Sequence, residues 1–91
     1  MVRDGEALRV DGRVTLDTVP ALIDEGTSKL AGARRIDLGG VTDVDSAAVA
    51  LALEWQRQAA GENLAFENVP EAMRNLARLY GVSDLLGIGA A

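Results

Sequence analysis

The sequence contains no cysteine and no histidine, and it has only one Phe, one Trp and one Tyr. Thiol nucleophiles, disulfides, imidazole bases and the zinc sites that depend on these two residue types are therefore excluded. The side-chain chemistry that remains is that of carboxylates, hydroxyls, Lys and Arg. No cofactor and no metal are expected on this basis.

Long hydrophobic segments are also absent. The longest uninterrupted apolar run, Ala47 to Leu53, has seven residues, far fewer than the ~20 that cross a bilayer. The start of the chain lacks the apolar core of a secretory signal. Its 91 residues include fifteen Ala and twelve Leu, enough for one small aliphatic core. We expect a single domain over residues 1–91, soluble and cytoplasmic, without direct membrane insertion.

Basic residues are in the minority, nine against fourteen acidic ones, which gives a formal net charge of -5. A chain with this charge repels the phosphates of nucleic acids and of anionic lipids. The composition therefore predicts that nucleic acid is not a partner.

The first half of the chain predicts two strands, a helix and a third strand. Apolar and polar residues alternate from Glu6 to Leu16 on both sides of Asp11-Gly12, a dipeptide typical of tight hairpin turns. This predicts a hairpin with Leu8 and Val10 in its first strand and Val14 and Leu16 in its second. Thr18 is a candidate helix cap, with Pro20 in the first turn, and the helix should end near Ala31. The third strand is predicted over residues 34–38 and is broken by two consecutive glycines, Gly39-Gly40.

The second half predicts a helix, a strand and a last helix. The second helix should run from Ser46 to about Ala60, and a fourth strand should occupy residues 64–67. Asn68 and Glu71 have the spacing of a capping box for the third helix. The predicted fold is α/β in the order β-β-α-β-α-β-α, with a four-stranded mixed sheet and three main helices, because β-α-β steps give parallel strands.

Polar residues cluster between the third strand and the second helix, where open α/β sheets bind ligands. Asp37, Asp43 and Asp45 have the oxygen donors of a magnesium site, but basic residues for a substrate phosphate are missing from this stretch. A phosphate cradle at Gly39-Gly40 lacks the Lys-Ser/Thr of a P-loop. In a third interpretation the glycines turn the chain, and Asp45 or Ser46 caps the helix. The cluster consists of Asp37, Gly39, Gly40, Thr42, Asp43, Asp45 and Ser46.

The second helix has two opposed sides at about 100° per residue. One side suits packing on the sheet and contains Ala48, Leu51, Ala52, Trp55 and Ala59. The other contains Ser46, Ala50, Leu53 and Arg57, with Val49 beside them. A helix side that is turned away from the sheet and carries few charges is typical of a surface that contacts a protein partner. The alternative is that Ala is a good helix former and that one exposed Leu is ordinary.

The segments Ile36-Asp37-Leu38 and Val44-Asp45-Ser46, together with Val41 and the apolar helix that follows, resemble the STAS domain family, the fold of bacterial anti-sigma factor antagonists. The ending from Leu76 to Gly81 is similar to members that serve phospholipid-transporting ABC complexes. The resemblance covers roughly residues 8–86.

The resemblance implies a partner domain without enzymatic activity, with Ser46 at the position that is phosphorylated in the sigma-regulating branch. The partner-binding residues would be Asp43, Asp45, Ser46, Val49, Ala50, Leu53 and Arg57.

Two roles follow from the resemblance. The first is an accessory subunit that binds and supports the ATPase subunit of a phospholipid-transport ABC complex maintaining outer-membrane lipid asymmetry, held through that partner at the inner face of the inner membrane. The alternative is an anti-sigma factor antagonist that binds an anti-sigma factor kinase and is regulated at Ser46. A small enzyme or nucleotide-binding protein is the competing class, which the missing His, Cys and P-loop disfavour.

Overall fold

The computed structural model describes residues 1–59 and 64–88. The α/β class and the predicted order of seven elements are confirmed, and a further short helix follows them. The predicted end of the second helix near Ala60 lies outside the described residues. The elements are β1 (Val2–Asp4), β2 (Ala7–Val14), α1 (Val19–Lys29), β3 (Arg35–Val44), α2 (Ser46–Gln58), β4 (Ala65–Glu67), α3 (Glu71–Leu79) and α4 (Ser83–Leu86).

The four strands form one mixed sheet in the order β1-β2-β3-β4. β1 runs antiparallel to β2, whereas β2, β3 and β4 are parallel, as the crossover helices between them require. Leu8 and Val10 of β2 and Ile36 and Leu38 of β3 are buried, while the residues between them are exposed or half-buried. One face of the sheet therefore carries the core, and the other is polar.

A β-hairpin opens the fold, but the predicted hairpin, with one strand on each side of Asp11-Gly12, was wrong. The turn joining β1 to β2 contains Gly5 and Glu6, and Asp11-Gly12 lies inside β2. Gly12 has a φ of 82°, and the pairing of β2 with β3 shifts register between Arg9 and Asp11. The dipeptide thus forms a bulge, which needs the same left-handed backbone as a tight turn.

The prediction that Gly39-Gly40 breaks the third strand was also wrong. β3 continues through both glycines to Val44, and Gly40 pairs with Asp11 at the irregular point of β2. A Cβ atom on Gly40 would lie 1.8 Å from Asp11 Oδ1. Glycine leaves room for the Asp11 carboxylate to lie over the strand, and the longer strand leads directly to α2.

The helices pack around α2, which contacts both α1 and α3. The predicted packing side is confirmed: Ala48, Leu51, Ala52 and Trp55 are buried. Trp55 is 1% exposed, and a Cβ on Gly26 of α1 would lie 2.6 Å from its Nε1. α1 and α2 therefore approach closely at this point. Across residues 1–59 and 64–88, every helix is too short or too polar to cross a membrane.

The predicted capping box of the third helix does not form. Pro70 is the N-cap residue of α3 and makes no side-chain cap hydrogen bond. Asn68 has a φ of 54°, and its Nδ2 donates to Asp37 Oδ1 at 2.9 Å. The carboxylate of β3 is a charged acceptor, and a hydrogen bond to it is stronger than one to a neutral group.

Candidate partner-binding surface

The N-terminus of α2 is capped by Asp45, which has an extended backbone with a φ of −133°. Its Oδ1 accepts the backbone N–H of Ala47 at 2.8 Å, and its Oδ2 accepts that of Leu16 at 2.9 Å. The capping interpretation of the polar cluster is therefore confirmed, with Asp45 as the cap. Because both carboxylate oxygens bond to this chain's own backbone, Asp45 organises the surface around Ser46.

The three aspartates of the magnesium interpretation do not come together. Asp37 and Asp43 lie on one strand, six residues apart, which separates them by roughly 20 Å at the usual rise of a strand. Across residues 1–59 and 64–88, no group of three or more acidic side chains has the arrangement of a metal site. The structure thus gives no geometry for this hypothesis.

Asp37 forms a separate polar contact on the open face of the sheet. Its Oδ1 accepts hydrogen bonds from Asn68 Nδ2 at 2.9 Å and from the Gly39 N–H at 2.8 Å. These two hydrogen bonds hold the pKa of Asp37 below its ordinary value, and the bond from Asn68 contributes most. The positive charge of Arg9 lowers the pKa further. The Gly39 amide, which a phosphate cradle would use, is already bonded to a carboxylate.

A line of residues along α2 faces away from the sheet. Ser46, Ala50 and Arg57 are exposed, as the helical spacing predicts, whereas Leu53 is half-buried and packs in part against the core. We call these four residues the α2 strip; from first to last it extends about 16 Å at 1.5 Å per residue. The strip begins with a hydroxyl, is apolar in the middle and ends in an Arg.

Val49 does not belong to this exposed surface, and the expectation that placed it there was wrong. Its side chain is 3% exposed and belongs to the core. The reason is that α2 packs against helices on both sides as well as on the sheet, so the buried arc is wider than the sheet alone would cover. Of the predicted partner-binding residues on α2, those that reach the surface are the four of the strip.

Arg57, at the end of the α2 strip, is paired with Glu54. Arg57 Nε donates to Glu54 Oε1 at 3.0 Å, and the same guanidinium forms a second hydrogen bond to Oε2. This pairing lowers the pKa of Glu54. A partner would meet an ion pair here, which sequence analysis missed although the i,i+3 spacing of the two residues signals it.

Charged and apolar residues surround the other end of the strip. Asp43 is exposed, and its Oδ2 lies 3.9 Å from Arg13 Nε. Nη2 of the same guanidinium lies 3.8 Å from Asp17 Oδ2. Leu16 is 74% exposed and precedes α1 in the turn after β2. Sequence analysis assigned Leu16 to a strand. The alternation of apolar and polar residues around Leu16 does not indicate that its side chain is exposed.

The chain matches the model of a known protein family. A family model described as Mlab, STAS domain matches residues 1–87. The matched span includes every element from β1 to α4 and all of the α2 strip. Comparison with curated proteins finds no match.

Proposed function

The chain belongs to the STAS domain family, and from that premise we propose that it is an accessory subunit of the MlaB type. In this role it binds and supports the ATPase subunit of a phospholipid-transport ABC complex that maintains outer-membrane lipid asymmetry, and it performs no catalysis itself. The complex would hold it on the cytoplasmic side of the inner membrane. The observation that carries the proposal is the α2 strip, an exposed and largely uncharged helix side in a chain of net charge -5.

The composition of the strip suits docking. Protein interfaces have an apolar centre that is depleted in charge, surrounded by a polar rim. Ala50 lets a partner approach the helix closely, Leu53 offers an apolar contact, and the Ser46 hydroxyl offers a hydrogen bond. The Arg57–Glu54 pair would then form part of the rim at one end.

A complex purified with and without the chain tests the proposed function. The ATPase subunit and its membrane subunits are expressed together, either with this chain or without it. We expect assembly and ATP turnover of the complex to be lower without the chain and to be restored when the purified chain is added. An ATPase of equal yield and rate in both preparations would contradict the proposal.

The isolated chain is expected to hydrolyse neither ATP nor GTP. The sequence has no P-loop, and the Gly39 amide that a phosphate cradle would use is bonded to Asp37. A phosphate-release assay on the purified chain measures this directly. Turnover that survived repeated purification and disappeared in Asp43→Asn would mean that the chain is an enzyme.

Ser46 supports a second candidate function, that of an anti-sigma factor antagonist. It is exposed in the first turn of α2, at the position where the resemblance implies a phosphorylated Ser or Thr. A phosphate there would meet the positive end of the helix dipole, so that the domain itself would tolerate it. In this role the partner would be an anti-sigma factor kinase, and phosphorylation would end binding.

Ser46→Glu is expected to release the partner in either role, whereas Ser46→Ala should weaken binding only mildly. The added charge enters the apolar contact of the α2 strip, where docking would remove it from water without a partner. The melting temperature should change little in both variants. The measurement is a pull-down with the purified partner at physiological salt, where attraction between exposed charges is partly screened. Equal binding of Ser46→Glu and the parent chain would reduce Ser46 to a structural residue.

A further inference from the structure

The turn between β2 and α1 holds a large apolar side chain in solvent. Leu16 is 74% exposed, yet the turn around it is well bonded. Thr18 Oγ1 accepts the Thr15 N–H at 2.9 Å and donates to the Arg13 carbonyl at 2.8 Å. The Thr18 N–H also donates to the Thr15 carbonyl at 2.9 Å. The turn that carries Leu16 is therefore held in one conformation by hydrogen bonds.

The turn is attached to the start of α2 by the helix cap. Asp45 Oδ2 accepts the Leu16 N–H, while Oδ1 of the same carboxylate accepts the Ala47 N–H. The backbone of Leu16 is thus one hydrogen bond away from the residue that precedes Ser46. Because this bond joins the turn to the start of α2, we consider Leu16 and the α2 strip together and call them the extended surface.

The charges around Leu16 determine what kind of surface would fit. Asp17 and Asp43 are both exposed, and Arg13 lies near the two of them at 3.8 Å and 3.9 Å. One cation faces two carboxylates at distances where exposed pairs interact weakly. The exposed charges at the end of the extended surface around Leu16 therefore sum to −1, while the Arg57–Glu54 pair at the other end is balanced, and the complement of the Leu16 end is basic.

We propose that Leu16 is the apolar anchor of the extended surface and that its occupant is a basic face of the ATPase subunit with an apolar socket for this leucine. The inference rests on the proposed function and deepens it, since it names the contact residue and the chemistry of the partner face. Asp45 fixes where the anchor stands, and Asp17 and Asp43 attract the basic face.

Leu16→Asp tests the anchor, with Leu85→Asp as the matched control. Leu85 is 68% exposed on α4, so the control adds the same charge at a similar exposure outside the extended surface. Surface plasmon resonance against the purified ATPase subunit gives the affinity of each variant, and circular dichroism checks its fold. We expect Leu16→Asp to weaken binding by about tenfold or more, because a central charge would be left without a partner, and Leu85→Asp to change it less than about twofold.

The association rate tests the basic complement. Asp17→Asn should slow association and weaken its dependence on salt, whereas Asp84→Asn on α4 should leave both unchanged. Leu16→Asp binding as tightly as the parent chain, or losing no more affinity than Leu85→Asp, would overturn the inference and leave the proposed function standing. A parent chain that does not bind the ATPase subunit would overturn both.

Discussion

Trp55→Ala is expected to lower the free energy of unfolding by ~3–5 kcal/mol, because it removes the largest buried side chain of an aliphatic core. The indole is 1% exposed and lies against Gly26. It also lines a void of only about 10 Å³ among the core residues, which are closely packed around it. Leu, Val and Ala neighbours in fixed elements cannot fill the space that the ring would leave.

Urea unfolding of the parent chain and the variant measures this loss. Tyr80→Ala is the matched control, since Tyr80 is 53% exposed at the end of α3 and its removal should cost less than about 1 kcal/mol. A cost below ~1 kcal/mol for Trp55→Ala would mean that Trp55 is not in the core, and that the arrangement of α2 described above is incorrect.

Ala50→Arg and Leu53→Glu are expected to weaken partner binding by about 30-fold or more, equivalent to ~2 kcal/mol, while the fold persists. Each places an unpaired charge in the apolar middle of the α2 strip, where docking would remove it from water. Ala50 is exposed and Leu53 half-buried, so Ala50→Arg is the less disruptive change.

Pull-downs with the purified ATPase subunit and circular dichroism are run together on both variants. Leu79→Glu adds the same charge to an exposed leucine on α3, outside the strip, and should bind as the parent chain does. Undiminished binding of folded Ala50→Arg would remove the strip from the interface. Unfolding of Ala50→Arg would show that this helix side is packed instead of open.

The order of elements and the two sides of α2 could be predicted because they depend on local periodicity. Whether Asp11-Gly12 forms a turn or a bulge could not be decided from the local sequence, since both need the same left-handed backbone at the glycine. The pairing of β2 with β3 decides between them. The parallel arrangement followed from the β-α-β order alone.

The residues that sequence analysis missed or misplaced depend on distant contacts. Leu16 is held by Asp45, 29 positions along the chain, and Asn68 bonds to Asp37 across 31 positions instead of capping α3. Val49 is buried in a helix that packs against three other helices, α1, α3 and α4, as well as on the sheet. Each of these outcomes depends on which elements pack together, and a single sequence does not specify that.

The proposed function requires that this chain bind the ATPase subunit of a phospholipid-transport complex through the α2 strip. Its most direct test is a calorimetric titration of the purified ATPase subunit with the parent chain, with a purified anti-sigma factor kinase titrated in parallel. We expect saturable binding to the ATPase subunit, strongly weakened by Ala50→Arg, and no heat of binding with the kinase. Binding to the kinase alone, or binding to the ATPase subunit that Ala50→Arg leaves unchanged, would contradict it.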